Sequence, residues 1–218
     1  MARLAALSIF ASLASFITCA DAAQFSADIV SLNANGDPAG PAGKLYVSDG
    51  KAHIETPDLA NGFFVVDATT NASLFVRPAK SIFMEARQTN FLTQILVPVD
   101  PDDPCRTWQA MSASAEAAGQ GGQWRCDRIG EETIDGRKTT AYSAVSPLNK
   151  RITGWIDQDL KILLKSQIEG GATFELKNIA EGPQPEALFE IPASYQKFDP
   201  QRLIEIVKKS DVWVEPIR

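Results

Sequence analysis

The sequence contains few side chains that could do catalytic chemistry. His53 is the only histidine in the 218-residue chain, so a serine triad or a histidine base would have to use it. The alternation of its strand places His53 beside Lys51 and Glu55 on a polar face, which predicts a solvated surface residue. The sequence contains no GxSxG, HExxH or phosphate-loop motif. We therefore predict no catalytic residue. A hydrolase is kept as a third functional hypothesis, after two non-enzymatic ones.

Acidic residues form three groups that could bind a cation or act as an acid and a base. Glu131-Glu132 is an adjacent pair, Asp157 and Asp159 alternate, and Asp100-Pro101-Asp102-Asp103 is a dense run. A glycosidase needs two carboxylates across a cleft, whereas charges that flank hairpin turns are ordinary. The 100–103 run lacks the glycine turn and the distal glutamate of an EF-hand loop. We expect solvated turn and loop residues here, with no metal and no cofactor.

Residues 1–22 are typical of a secretory signal peptide. Arg3 gives a basic start, Leu4–Ile17 is apolar but too short to span a bilayer, and Ala20-Asp21-Ala22 presents small residues to a signal peptidase. The sequence therefore predicts a periplasmic or secreted protein cleaved after Ala22, with no transmembrane segment in the mature chain. A lipid anchor on Cys19 is the alternative.

Export determines how the other cysteines are interpreted. Cys105 and Cys126 remain as an even pair in an oxidising compartment, which predicts a disulfide between them. Neither a CxxC motif nor added histidine ligands accompany the pair, so the sequence gives no support for a zinc site.

Length and charge limit the remaining possibilities. Removal of the signal peptide leaves about 200 residues, enough for one domain over 23–218. The formal net charge of −6 gives no basis for a nucleic-acid partner.

Turn residues divide the chain into short apolar runs, the pattern of an antiparallel sheet. Asp49-Gly50 and Asp135-Gly136 indicate tight hairpin turns. Pro104 starts a predicted helix over 105–118, and Gln201–Ser210 forms a second. The predicted class is α+β, mainly β: a curved antiparallel sheet of about ten strands with one or two covering helices.

Short segments spread over most of the mature chain resemble one known family. They are Phe25-Ser26-Ala27-Asp28, Gly43–Val47, Gly154–Asp157 with Leu160–Ile168, Phe174–Ile179 and Leu188–Pro192. In these segments the chain is similar to the periplasmic outer-membrane lipoprotein-carrier superfamily, the LolA-like proteins. The resemblance implies an open half-barrel whose apolar cavity, between sheet and helices, receives an acyl chain of a lipoprotein or a lipid.

The apolar face of the predicted sheet is the candidate cavity lining. Its residues are Leu45, Val47, Ile54, Ile82, Met84, Ile156, Ile162, Leu164, Phe174 and Leu176. They either line a ligand cavity or form a dry core packed by the helices. The shortage of helices to cover about ten strands favours the cavity.

The first functional hypothesis is therefore an exported, non-enzymatic protein that binds the acyl chain of a lipid or lipoprotein. The second is a cell-envelope interaction or sensor module on the same fold, with a filled core and an envelope protein as its partner. A site that works by burial needs no catalytic motif, because burial gives about 0.8 kcal/mol per methylene without polar specificity.

Overall fold

The computed structural model describes most of the chain after the predicted signal peptide. The described residues are 23–57, 59, 61–86, 91–113, 123–147, 149–171, 173–200 and 205. The signal peptide predicted over 1–22 and nearly all of the helix predicted over 201–210 lie outside them. Neither helix of the described part has the length and apolar composition that a membrane span requires.

One sheet of twelve strands dominates the structure. The strands are β1 (Phe25–Leu32), β2 (Gly43–Ser48), β3 (Lys51–Glu55), β4 (Phe63–Asp67), β5 (Ala72–Arg77), β6 (Ile82–Glu85), β7 (Arg125–Ile134), β8 (Arg137–Val145), β9 (Arg151–Asp157), β10 (Leu163–Ile168), β11 (Thr173–Glu181) and β12 (Gln196–Lys197). Short 3-10 helices occur at Pro78–Lys80 and Glu186–Phe189.

The sheet consists of two antiparallel meanders joined through β1. The strand order is β12-β6-β5-β4-β3-β2-β1-β11-β10-β9-β8-β7, so β1 pairs with β2 on one side and with β11 on the other. The described strands β12 and β7 lie at opposite ends of a curved sheet that does not close into a barrel. The predicted open, mainly antiparallel half-barrel is confirmed, with twelve strands in place of about ten.

Two hairpin turns follow directly from local sequence. Asp49 and Gly50 have φ values of 50° and 79°, and Asp135 and Gly136 have 48° and 80°. Two consecutive positive φ values are the requirement of the turn whose twist matches its flanking strands. Both predicted turns are confirmed, and they set the β2–β3 and β7–β8 registers.

Between β6 and β7 the described residues 91–113 contain two helices outside the sheet. These are α1 (Phe91–Ile95) and α2 (Pro104–Ala113). Proline fits the first turn of α2 because its missing N–H would have no partner there. The Asp103 carboxylate accepts a hydrogen bond from the Arg106 backbone N–H at 3.3 Å, which caps the helix. The described helix ends at Ala113, five positions before the predicted end, and residues 114–122 are not described.

The predicted disulfide is confirmed. Cys105 in the first turn of α2 is bonded to Cys126 in β7, with 5.8 Å between their Cα atoms. Because Cys126 lies opposite Ala144 of β8, the bond fixes the start of α2 to one end of the sheet.

Replacement of both Cys105 and Cys126 by serine is expected to lower the free energy of unfolding by about 3 kcal/mol, because the bond closes a loop of roughly 20 residues in the unfolded chain. Urea denaturation of oxidised wild type and of the double variant measures the difference. Alkylation of the unreduced, unfolded wild type is the control and should label neither thiol. A change in stability below about 1 kcal/mol would show that the bond does not hold α2 in place.

Candidate apolar binding site

Strand register places the predicted cavity residues on one face of the sheet. Directly paired residues of antiparallel strands share a face, and residues two apart along a strand do the same. Leu45 pairs with Ile54, Ile29 pairs with Leu176, and Phe174 pairs with Ser166. Together with the pairings between β1 and β2, from β3 to β6 and between β9 and β10, they link all the candidates except Ile162, which is buried in the β9–β10 connection. We call this face the inner face and the opposite one the outer face.

Most of the inner face is covered by the chain itself. Leu45, Val47, Ile54, Ile156, Ile162, Leu164 and Leu176 belong to one buried cluster that also contains Ile95, Leu96, Val97, Val99, Trp108, Met111 and Trp124. Phe174 packs at the margin of that cluster, while Ile82 and Met84 are half-buried outside it. The sequence predicted too few helices to cover the inner face. In the structure, residues 91–111 cover that part of the face.

Trp108 is the centre of the covering segment. It is 2% exposed and its ring centroid lies 5.5 Å from that of Trp124. Gly154 of β9 lies below: a Cβ there would come within 2.7 Å of Leu163 Cδ1 and 3.9 Å of Trp108 Cη2. The missing side chain at Gly154 leaves space for both of these large residues on the sheet.

Polar contacts hold the segment around α2 in position. The Tyr142 hydroxyl of β8 lies 2.8 Å from the Pro101 carbonyl oxygen, to which it donates, and burial raises the pKa of this hydroxyl. Val99 N–H donates to the Lys161 carbonyl at 2.7 Å, and Trp124 N–H donates to Gln109 Oε1 at 2.7 Å. Together with the disulfide, these bonds tie both sides of α2 to strands and connections of the second meander.

A narrow crevice runs between α1 and the inner face. It is lined by Ile29, Leu92, Ile95, Leu96, Leu163, Leu164, Lys165, Ser166, Phe174, Glu175 and Leu176, and its volume is about 10 Å³. That volume is at the lower limit for a single water molecule. With α1 in place, the crevice is closed to an acyl chain.

A larger open cavity shares part of this lining. It has a volume of about 160 Å³ and is lined by Ile134, Asp135, Arg137, Leu164, Leu176, Lys177, Asn178 and Ile179. Leu164 and Leu176 border both spaces. Lys177 at this cavity bonds to Asp135 at 2.8 Å, which raises the pKa of the lysine.

The largest described cavity lies elsewhere. Its volume is about 590 Å³, and it is a polar groove at the strand ends, lined in part by Arg151, Thr153, Gln167, Glu169 and Thr173. None of the predicted apolar residues lines it.

The prediction for His53 is wrong. His53 is 2% exposed, and its Nδ1 lies 2.7 Å from the Leu188 carbonyl oxygen. The 3-10 helix Glu186–Phe189 covers the outer face at this point, so a residue on the polar side of its strand is buried.

Apart from Asp157, the residues of the three acidic groups are exposed or partly exposed, as the sequence predicts. Asp157 accepts hydrogen bonds from the backbone N–H groups of Asp159 and Leu160 and pairs with Arg137 at 3.3 Å. Glu132 accepts a bond from Trp155 Nε1 at 2.6 Å. The prediction of a solvated residue is wrong for Asp157, which is buried because it organises the β9–β10 turn. In the described ranges, no cluster of side chains has the composition of a metal site.

Comparison with known proteins supports the fold. No protein-family model matches the sequence, and no curated protein matches it. The solved structure of PNGF-II is similar over 86% of this chain, with a TM-score of 0.52 and 10% identity. This chain spans only 33% of PNGF-II.

Two further solved structures are more distant. A LolA superfamily protein from Nitrosomonas europaea has a TM-score of 0.34 and 8% identity, over 78% of this chain and 90% of that one. A Pseudomonas aeruginosa MucA/MucB complex has a TM-score of 0.35 and 14% identity, over 81% of this chain and 58% of that one. Because PNGF-II is only 10% identical to this chain, that likeness is one of fold alone.

Ser166 provides a test of whether the crevice is dry. Its hydroxyl is buried and has no hydrogen-bond partner among the described residues, as is true of Ser73 on the inner face of β5. Ser166→Ala and the matched control Ser73→Ala should each raise the free energy of unfolding by about 1 kcal/mol, because an unpaired buried hydroxyl is removed. Chemical denaturation measures both. A loss of stability at Ser166 alone would show that this hydroxyl has a partner in the crevice.

Proposed function

We propose that this protein is an exported, non-enzymatic binding protein that holds the acyl chain of a lipid or lipoprotein against the inner face of its sheet. The observation that carries the proposal is the crevice beneath α1. Eight of its eleven lining residues are apolar, it borders the 160 Å³ cavity, and a helix of only five residues covers it.

The two helices differ in how firmly they are held. The disulfide and the hydrogen bonds around Pro101 and Gln109 fix α2. A helix of five residues has little stability of its own and depends on packing. Leu92, Ile95 and Leu96 provide that packing at the crevice. We therefore assign the entry step to displacement of α1, with α2 remaining in place.

The α1 side chains and an acyl chain would gain comparable free energies from burial against the inner face. Burial of a leucine or isoleucine side chain gives about 1.5–3 kcal/mol. Leu92 and Ile95 of α1, together with Leu96 directly after it, therefore correspond to roughly six to eleven buried methylenes at about 0.8 kcal/mol each. An acyl chain with more methylenes than this gains more free energy from burial than the residues that it displaces, and a shorter chain gains less. The proposal thus favours long chains without a polar recognition motif.

The polar residues support a non-enzymatic role. His53 is buried, with both ring nitrogens within 3.0 Å of oxygen atoms. Asp157 is bound by two backbone N–H groups and by Arg137. These are structural contacts, and they leave the hydrolase hypothesis without its histidine.

The second candidate, an envelope-protein interaction module, is favoured by one observation. Trp108, Met111 and Ile95 are nearly fully buried on the inner face, so the core is filled in the described conformation. If α1 does not move, the inner face has no room for a ligand, and a partner would bind to the outside of the half-barrel.

Affinity for fatty acids should rise steeply with chain length. Hexadecanoate has four more methylenes than dodecanoate, which corresponds to about 3 kcal/mol and roughly a 200-fold lower Kd. Displacement of a fluorescent fatty acid by each unlabelled acid, below its micelle concentration, measures the ratio. Equal affinity for the two acids would contradict burial as the source of binding.

Weakening α1 should strengthen binding, because the helix competes with the ligand. Leu92→Ala removes a half-buried side chain from the crevice. The Kd for hexadecanoate is expected to fall by about tenfold, which corresponds to roughly 1.4 kcal/mol of lost helix packing. The matched control is Leu59→Ala, since Leu59 is also half-buried at the core margin but lies outside the crevice.

The same titrations separate the candidates. Unchanged affinity in the Leu59 variant with a lower Kd in the Leu92 variant supports the proposal. A higher Kd after Leu92→Ala would contradict displacement of α1. Absence of saturable binding to the wild type would overturn the proposal in favour of the interaction module.

A further inference from the structure

The cavity of about 160 Å³ lies where neighbouring strands of the sheet end at different heights. The last residue of β11 that pairs with β10 is Glu175, and residues 176–181 continue beyond it along β1. On the other side, the tip of the β7–β8 hairpin extends past the end of β9. The cavity is lined by both extensions. Two inner-face residues, Leu164 and Leu176, and several charged side chains therefore share one space.

Lys177 is the first of two cations that line this cavity. Its Nζ lies 3.0 Å from Glu175 Oε1 and 2.8 Å from Asp135 Oδ2. The Glu175 side chain is 10% exposed, whereas that of Asp135 is 63% exposed and belongs to the hairpin turn. The buried carboxylate fixes the ammonium group, because separating them would leave a charge without a partner away from water. The exposed carboxylate is free to turn into solvent.

Arg137 is the second cation, and its two partners differ in the same way. Its guanidinium pairs with Asp157 at 3.3 Å and also with Glu181. The Asp157 side chain is 1% exposed and that of Glu181 is 59% exposed. Exposed ion pairs contribute little to stability. The bonds to Asp135 and Glu181 are therefore the two that another anion could replace.

The charges at the cavity require replacement of these carboxylates rather than addition of an anion. Lys177 and Arg137 bring two positive charges, and their four carboxylate partners bring four negative charges. A further anion would meet a net negative site and be repelled. Once the exposed carboxylates turn away, each cation keeps its buried partner and regains N–H donors for a charge-assisted bond to a ligand.

We propose that Lys177 and Arg137 bind the carboxylate of a free fatty acid, which takes the places of their exposed partners. Leu164 and Leu176 line both this cavity and the crevice beneath α1, so they are the residues along which the acyl chain runs from the crevice to the two cations. The inference rests on the proposed function and narrows its ligand. An acyl chain in an ester or amide linkage has no carboxylate, so this site selects a free acid over a lipoprotein.

Selectivity for the carboxylate tests the site. The Kd for hexadecanol and the Kd for hexadecanoate are measured by displacement of a fluorescent fatty acid at about pH 8, where a carboxyl group is ionised. The two ligands have chains of equal length, so the ratio of the first Kd to the second isolates the contribution of the headgroup. The wild type supplies the reference ratio.

Asp135→Asn combined with Glu181→Gln is the diagnostic variant, because it removes the two competing carboxylates. Both side chains are exposed, and Asn before Gly136 suits the hairpin turn. The ratio should rise about tenfold, roughly threefold for each competitor removed. The matched control is Glu131→Gln combined with Glu169→Gln. These exposed carboxylates also pair with arginines but do not line the cavity, so the ratio should stay within about twofold.

Lys177→Gln should have the opposite effect. The amide keeps a hydrogen-bond donor but loses the charge, so the ratio should fall about tenfold. Saturable binding of hexadecanol shows that this variant is folded. If it does not fold, the diagnostic variant and its control decide the matter alone.

An unchanged ratio in the diagnostic variant would overturn this inference. An equal rise in the control would do the same, because it would trace the effect to net charge. In both cases, saturable binding of hexadecanol would leave the proposed function standing. Absence of saturable binding of both ligands to the wild type would overturn the proposed function and this inference with it.

Discussion

An open sheet with one apolar face must cover that face, and the structure depends on how residues 91–111 do so. The twelve described strands do not close into a barrel. Other segments of the chain must therefore cover the inner face. Trp108 and Met111 supply the bulk of the cover, and Gly154 leaves room for the indole. The disulfide and the Tyr142 bond determine where this cover lies.

The need to cover the inner face is connected to the proposed function by the different contacts of α1 and α2. The disulfide and hydrogen bonds fix α2, whereas α1 contributes Leu92 and Ile95 to the crevice and is the part of the cover that we propose is exchanged for another apolar group. Under the proposed function the inner face is both core and binding site, and competition between α1 and a ligand determines which of the two it is. A site of this kind requires no conserved chemistry beyond apolar side chains of the right size.

The sequence predicted what depends on neighbours along the chain. The Asp49-Gly50 turn, the start of α2 at Pro104 and the inner-face residues of β2 and β10 follow from turn chemistry and from the two-residue period of strands. The Cys105–Cys126 bond followed from their even number and the expected export. Contacts between distant segments were not predictable. His53 is covered by Leu188, 135 positions later, and α1 is too short for a helical period to be visible. The same reason prevented a decision between cavity and core, because the 10 Å³ of the crevice depends on how residues 91–111 pack.

The most direct test is hydrogen exchange of the two helices with and without saturating hexadecanoate. The amide of Leu96, which donates to the Leu92 carbonyl at 2.9 Å, reports on α1, and amides within 104–111 report on α2. The account predicts that the acid lowers protection across 91–96 and leaves 104–111 unchanged. Increased protection of 91–96, or no change in either helix at saturation, would contradict the displacement of α1 by an acyl chain.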